Sequence, residues 1–314
     1  MAYSESGLIR RFRSRVLLVT ALEVICVVSG LAGERTKPRE IWSGESAGFI
    51  VRWTSGDITA APAAQPSKVV FSAKASAERK FRAFKKDNIE EDPAWQCSYT
   101  LRFKVLSLAG PILSYEENES SYCGRKNGPG WAHPSDQIVY RVLDLTQVRK
   151  PIKLTEYFSE SEILAALLAD PLVSSALKQG GAPEKPTSIE SLVNLFDEGQ
   201  LTLEPRTESP ESPKGCTFIF PEHALKQFAF HHVDNGKVAI RLSLDPAVGA
   251  CRTAHAELGI LLPISYKIAA AIAAANSASQ GFLMKDGKRL FEGSVTTFEF
   301  QAKLGAPIKR RRVR

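Results

Sequence analysis

The residues best suited to touch a ligand lie in two places, and each place combines an aromatic ring with a histidine. The first holds Trp131 and His133, which follow a glycine-rich stretch and precede Pro134. On a loop, an aromatic ring can cover the apolar face of a sugar, while an imidazole and nearby polar groups meet its hydroxyls. We therefore predict ligand contacts at Trp131 and His133. The alternative is that His133 only shapes the start of a strand.

The second place is a phenylalanine-rich segment that contains Phe230 and His232. Residues two apart on a strand share a face, so these side chains should point to one side of a sheet and His231 to the other. Neighbouring histidines diverge on a regular strand, which argues against one shared metal ion. We predict Phe230 and His232 as ligand contacts. The alternative is that His232 is a half-buried structural residue.

Catalytic signatures are missing from the sequence. It contains no glycine motif for dinucleotides or phosphates, no His-Glu-x-x-His helix and no Gly-x-Ser-x-Gly turn. Ser175 and Lys178 fit Ser-x-x-Lys, a pattern that is frequent by chance. We interpret the carboxylates at 90–92, and Glu116 with Glu117, as solvated charge, because acid–base catalysis needs a buried carboxylate with a shifted pKa. We predict no catalytic residue, no metal site and no cofactor.

The chain has five cysteines, and four of them follow the N-terminal segment: Cys97, Cys123, Cys216 and Cys251. An even number of cysteines in an exported protein predicts disulfide bonds. No Cys-x-x-Cys pair is present, so a zinc site is disfavoured. We predict that Cys97 pairs with Cys123 and Cys216 with Cys251. The alternative is four reduced thiols in the core of a cytosolic protein.

The first cysteine pairing depends on strand register. Alternating apolar and polar residues from Cys97 onward predict a half-buried strand, and Ala109–Pro111 predicts a turn. In an antiparallel return that places Leu108 opposite Ile112, Cys97 lies opposite Cys123. The two remaining cysteines would then form the second bond.

The N-terminal segment has the composition of a secretory signal peptide. Four arginines between positions 10 and 15 precede the apolar run 16–30, and small residues follow it. A retained membrane anchor and an ordinary core helix are the alternatives. The run is short for a membrane span, and Glu23 would be costly in lipid. We expect a signal peptide over residues 1–32 and a periplasmic or secreted protein.

The overall composition is that of a globular protein. A chain of 314 residues with 44% hydrophobic residues and a net charge of +7 is neither disordered nor a polytopic membrane protein. Residues 309–314 are mostly basic, which predicts a frayed tail or a weak contact with an anionic envelope surface. We expect no nucleic-acid partner.

Local signals predict helices and turns. Ser159 with Glu162 forms a capping box before an apolar helical pattern, and Thr187 with Glu190 repeats it. Asn235-Gly236 is a favoured two-residue hairpin turn. A basic helical segment over 75–86 would place its two phenylalanines, Phe81 and Phe84, on one face.

Several motifs follow one another in an order that is typical of a known family. They are the glycine-rich turn at 124–130, Trp-Ala-His-Pro at 131–134, Leu-Asp-Leu-Thr at 143–146, Ile152–Phe158, Phe218–Glu222 and Gln227–Val233. In this layout the chain resembles the extracytoplasmic domain family shared by the anti-sigma factor RsiV and the accessory region of the peptidoglycan deacetylase PdaC. The resemblance implies a binding domain rather than an enzyme, since the paired aspartates of the deacetylase domain have no counterpart here.

The patterns and the resemblance together predict an α+β fold, an antiparallel β-sheet with helices packed on one face. We expect a signal peptide over 1–32, a flexible arm or linker over 33–67, an N-terminal sheet region over 68–150, an RsiV- and PdaC-like helix and sheet region over 151–262, and a C-terminal helix, hairpin and basic tail over 263–314. The expected function is recognition of cell-wall glycan or of a wall-acting protein such as lysozyme. An envelope hydrolase and a purely structural envelope protein are the alternatives.

Overall fold

The computed structural model describes residues 37–88, 95–125, 134–180, 185–204, 216–251, 253–284 and 294–302. Within these residues it contains five α-helices and fourteen strands, and all strand pairs are antiparallel. The predicted α+β class is therefore confirmed. The fold belongs to one compact unit that begins at Arg39.

The strands are β1 (Glu40–Ser46), β2 (Phe49–Thr54), β3 (Ile58–Pro62), β4 (Phe71–Ser72), β5 (Trp95–Ala109), β6 (Ile112–Arg125), β7 (Ser135–Asp144), β8 (Phe218–Ile219), β9 (Phe228–Asp234), β10 (Lys237–Ser243), β11 (Asp245–Pro246), β12 (Glu257–Pro263), β13 (Phe282–Leu283) and β14 (Thr296–Ala302). The α-helices are α1 (Ala73–Asn88), α2 (Glu160–Ala169), α3 (Pro171–Gln179), α4 (Ile189–Asp197) and α5 (Ala269–Asn276). No helix in the described ranges is long and apolar enough to cross a membrane.

The N-terminal strands form a four-stranded sheet in the order β1-β2-β3-β4. The expected flexible arm is therefore wrong for residues 40–62. Trp53 is fully buried, and its indole N–H donates a hydrogen bond to Thr296 Oγ1 at 3.1 Å. Val51 and Ile58 are buried beside it. Burial of these large side chains outweighs the loop-like proline and alanine content of the segment.

A five-stranded sheet forms the centre of the fold. In it β7 pairs with β6, β6 with β5, and both β13 and β14 pair with β5. Helix α1 covers one face of this sheet. Phe84 packs on Tyr99 with ring centroids 4.9 Å apart, and Phe81 stacks on Phe300 at 4.6 Å. The predicted shared face of Phe81 and Phe84 is confirmed.

The β5–β6 hairpin has a different turn from the predicted one. Its turn consists of two residues, so Ala109 lies opposite Ile112, and the predicted pair of Leu108 with Ile112 is wrong by one position. The register then shifts at Leu106, and beyond this bulge Cys97 lies opposite Cys123 as predicted. The extra residue at the bulge therefore offsets the one-residue difference at the turn, and the predicted pairing of Cys97 with Cys123 holds.

Both predicted disulfide bonds are present. Cys97 and Cys123 join β5 to β6 with their Cα atoms 4.2 Å apart. Cys216 and Cys251 join the segment before β8 to the one before β12, with their Cα atoms 5.6 Å apart. Such bonds are typical of proteins that fold outside the cytoplasm, so the two disulfide bonds fit an extracytoplasmic protein.

A three-stranded sheet, β9-β10-β12, lies between the helices and the end of the five-stranded sheet. Phe228, Phe230 and Ile240 are buried in the core that the helices share. On the other side, Ser107 Oγ donates to the Phe230 carbonyl at 2.9 Å, and the Phe230 amide donates to Ser114 Oγ at 3.1 Å. Two buried serines therefore satisfy backbone groups of β9 where the sheets meet.

The helix starts agree with the sequence at one site and differ at another. Ser159 caps α2, and its amide donates to the Glu162 carboxylate at 2.9 Å, which confirms the predicted capping box. At α4 the predicted cap Thr187 is wrong by one residue. Ser188 is the cap, and it exchanges hydrogen bonds with Ser191. A serine next to a threonine offers two equivalent caps, and the sequence does not distinguish them.

Candidate functional site

One face of the five-stranded sheet carries polar side chains, and we call it the open sheet face. Alternation along each strand and the cross-strand register place its residues in rows that run across the sheet. From β14 to β7 the rows are Thr297, Arg102, Asn118 and Ile138, then Glu299, Thr100, Ser120 and Asp136, then Gln301, Ser98 and Tyr122. Helix α1 lies on the opposite face, so the polar side chains of these rows are not part of the aromatic core.

The open sheet face is accessible to solvent. Ser98, Arg102, Glu299 and Gln301 are exposed, and Tyr122 at its edge is 53% exposed. Strand spacings make the face roughly 14 Å wide across four strands and about 14 Å long over three rows. A surface of this size accommodates a short oligosaccharide.

A group of ionisable residues closes one end of this face, and we call it the ionisable cluster. Lys104, Glu116 and Tyr140 lie opposite one another on β5, β6 and β7, in the row before Arg102. The three-stranded sheet adds Arg241 and Glu257. The Tyr140 hydroxyl donates to Glu257 Oε2, and Arg241 Nη1 donates to Glu257 Oε1. Both oxygens of this carboxylate are thus engaged.

The carboxylates of the ionisable cluster have shifted pKa values. Desolvation, with the negative charge of Glu116 added, raises the pKa of Glu257 to about 7. The positive charge of Lys104 opposes this rise in the pKa of Glu257. Desolvation also raises the pKa of Glu116, although Lys104 and Arg241 counteract it. Near neutral pH, Glu257 is therefore partly protonated.

The interpretation of Glu116 and Glu117 as solvated charge is wrong. Glu117 is only 3% exposed and lies on the α1 side, where it forms ion pairs with Lys80 and with Arg141, the latter at 3.8 Å. Glu116 points to the opposite face and belongs to the ionisable cluster. Neighbouring residues on a strand point to opposite faces, and here protein covers both of these faces, which the sequence does not show.

The two histidines of β9 lie in a bulge. Both His231 and His232 lie opposite the single residue Ala239, because the register shifts between Val238 and Ile240. Their rings meet, with the two Nδ1 atoms 2.8 Å apart, so the predicted divergence of these side chains is wrong. Desolvation and the charge of the nearby arginine lower the pKa of His231 to about 4 and also lower that of His232.

The four predicted ligand contacts differ in whether the structure describes them and in how exposed they are. Trp131 and His133 lie outside the described residues, so both stay predictions. Phe230 is 1% exposed and packs edge-on against Tyr157, with ring centroids 5.5 Å apart. A buried ring has no face to offer a ligand, and the structure does not support Phe230 as a contact. His232 is half-buried beside its neighbour.

A further polar pair, which no sequence pattern indicated, lies at the β7 edge of the open sheet face. His255 Nε2 is 3.2 Å from Asp136 Oδ2. The other carboxylate oxygen, Asp136 Oδ1, is buried and has no hydrogen-bond partner among the described residues. The two residues are far apart in the chain and meet only because the segment before β12 runs along β7. The described part of the chain holds no group of three or more residues that could bind a metal ion.

A groove between α2 and β12 is a concave feature of the described residues. Its volume is ≈ 480 Å³, and most of its lining is small or apolar: Ala165, Ala166, Ala169, Gly259, Leu261 and Pro263. A sugar needs several hydrogen-bonding groups, so the groove suits such a ligand less well than the open sheet face does.

The fold and the open sheet face define an α+β domain of antiparallel sheets that presents one polar surface with an aromatic edge. The chain matches no protein-family model, no curated protein and no solved structure. Membership in the family shared by RsiV and PdaC therefore stays a prediction.

Proposed function

We propose that the chain is an exported, non-catalytic binding domain of the bacterial cell envelope, and that its ligand is cell-wall glycan. The observation that carries this proposal is the open sheet face, a polar surface that ends in the exposed ring of Tyr122. Sugars present hydroxyls around an apolar ring face. Hydrogen-bonding side chains beside an exposed aromatic ring match both features.

The polar groups of this face are available to a ligand. Arg102, Asn118 and Gln301 form no side-chain hydrogen bond with any described residue, so each can hydrogen-bond to solvent water. A bound glycan replaces such water without breaking protein contacts. By contrast, the carboxylate of Glu117 on the covered side is held by two cations. The open sheet face can therefore bind a ligand with little rearrangement of existing protein contacts.

The predicted contacts Trp131 and His133 remain part of this proposal. They belong to the segment 126–133 between β6 and β7, and Tyr122 lies near the end of β6. The two disulfide bonds support a location outside the cytoplasm, which we propose to be the periplasm or the cell surface. The resemblance to RsiV supports a wall-acting protein such as lysozyme as a second type of ligand.

One observation favours a second candidate function, an envelope hydrolase. Glu257, with a pKa of about 7, lies near the second carboxylate Glu116 at the end of the proposed glycan surface. Paired carboxylates with different pKa values can divide the roles of acid and base in glycoside hydrolysis. However, Tyr140 and Arg241 already occupy both oxygens of Glu257, which favours binding without cleavage.

The test is retention of the purified mature chain on insoluble peptidoglycan. We expect the wild type to be retained, and Tyr122→Ala to bind about three- to tenfold more weakly because a stacking surface is lost. The matched control is Tyr266→Ala, since Tyr266 is 87% exposed and lies outside the open sheet face. This control should bind like the wild type.

The same samples distinguish the other functions. Release of reducing ends from the peptidoglycan, abolished in Glu257→Gln, would identify a hydrolase. Retention on an immobilised muramidase but not on peptidoglycan would identify a protein ligand and refute the glycan proposal. Equal retention of Tyr122→Ala and the wild type would refute the open sheet face as the surface that binds the glycan.

A further inference from the structure

Arg102 lies on the open sheet face, in the row next to the ionisable cluster. Its cross-strand neighbours are Thr297 on β14 and Asn118 on β6, and both are neutral. The side chain is exposed and forms no ion pair with any described residue. A guanidinium group with five N–H donors thus points to solvent among neutral groups.

The acidic residues near Arg102 are engaged elsewhere or lie at a distance. Glu116 lies directly opposite Lys104 and near Arg241, and both cations act on its charge. Asp136 contacts His255. Glu299 lies diagonally across the sheet from Arg102 and forms no ion pair with it. Among the described residues, no carboxylate therefore forms an ion pair with Arg102, although Glu116 and Glu299 are its diagonal neighbours across the sheet.

A second cation lies two residues away on the same strand and face. Arg102 and Lys104 are about 7 Å apart along β5. Lys104 already faces Glu116 across the strands, so Arg102 is the member of this pair that has no carboxylate directly opposite it. Arginine binds carboxylates with two parallel N–H···O bonds, which fixes their orientation as well as their charge. The pair is suited to a carboxylate more than to a neutral hydroxyl.

We propose that Arg102, assisted by Lys104, binds a carboxylate carried by a sugar ring of the wall glycan, so that the domain prefers acidic glycans over neutral ones. This inference rests on the proposed function. Tyr122 lies two rows and one strand from Arg102, a separation of about 14 Å. A glycan whose first ring stacks on Tyr122 brings a later ring over Arg102, which selects for an oligosaccharide rather than a single sugar.

The test compares two glycans by calorimetric titration at low salt. One is a neutral oligomer of N-acetylglucosamine, and the other is a peptide-free glycan strand whose lactyl groups carry free carboxylates. We expect about tenfold tighter binding of the acidic strand by the wild type, and loss of this preference when its carboxylates are amidated. Intact peptidoglycan with stem peptides is the third ligand, because it separates sugar carboxylates from those of the peptides.

The variants isolate the role of the guanidinium group. In Arg102→Gln the affinity for the acidic strand should fall to that of the same variant for the neutral oligomer, while Arg102→Lys should keep part of the preference for the acidic strand. Arg82→Gln is the matched control, because Arg82 is an exposed arginine on α1, at the opposite face. Equal binding of both glycans by the wild type, a requirement for stem peptides, or an unchanged preference in Arg102→Gln overturns this inference alone. Absence of binding to every glycan overturns the proposed function and this inference with it.

Discussion

The pKa of Glu257 makes the stability of the fold depend on pH in a direction that is opposite to that of most carboxylates. Its pKa is about 7 in the folded protein and near 4.5 in an unfolded chain. Between these values the folded state binds more protons, so the contribution of Glu257 to stability falls as pH rises. The contribution is fully present below pH 4.5 and is lost as pH rises through about 7.

The size of this effect follows from the shift and from the exposure of the side chain. The full shift corresponds to about 3 kcal/mol. However, 39% of the Glu257 side chain is exposed, and solvent screening reduces the expected effect to about 1 kcal/mol. The variant Glu257→Gln keeps the shape of the side chain and removes its titration, so it isolates this contribution.

The assay is urea unfolding of the wild type and Glu257→Gln between pH 4.5 and 8, with the disulfide bonds oxidised. We expect the stability of the wild type relative to Glu257→Gln to fall by about 1 kcal/mol over this range. Glu198→Gln, a change at an exposed carboxylate on the end of α4, is the control. A difference that stays constant or rises with pH would refute the assignment of a raised pKa to Glu257.

Two further predictions concern stability. His231, with its pKa lowered to about 4, is neutral in the fold, so its contribution to stability is lost as pH falls from 6.5 towards 4. We expect the melting temperature of His231→Asn to depend less on pH in this range than the melting temperature of the wild type. The same pH dependence in both proteins would contradict this prediction. The double change Cys97→Ser with Cys123→Ser removes a bond that closes 26 residues, and we expect a loss of about 3–4 kcal/mol in the free energy of unfolding. Urea midpoints of the oxidised wild type and this variant measure the loss, and coinciding midpoints would contradict the prediction.

Local signals in the sequence predicted local structure well. The capping box at Ser159, the turn at Asn235-Gly236 and the shared face of Phe81 and Phe84 are each confirmed, because they depend on residues close together in the chain. The disulfide pairing is also confirmed, although its register was derived from a turn that differs from the real one.

The features that the sequence did not predict depend on contacts between distant segments. The bulges at Leu106 and at His231 with His232 arise where the three-stranded sheet crosses the five-stranded one. Neighbouring residues on a strand, such as Glu116 and Glu117, point to opposite faces of the sheet, but packing between distant segments decides which of these faces protein covers. The ionisable cluster could not be predicted for the same reason, since Tyr140 and Glu257 are 117 positions apart and meet only in the fold.

The measurement that tests the central claim most directly is a nuclear magnetic resonance titration of the isotope-labelled mature chain with soluble wall glycan. If the open sheet face binds glycan, resonances of Tyr122, Arg102 and Asn118 shift together with one dissociation constant, while those of exposed residues on α1 stay unchanged. Shifts confined to the groove between α2 and β12, or no shifts at saturating glycan, would contradict the account.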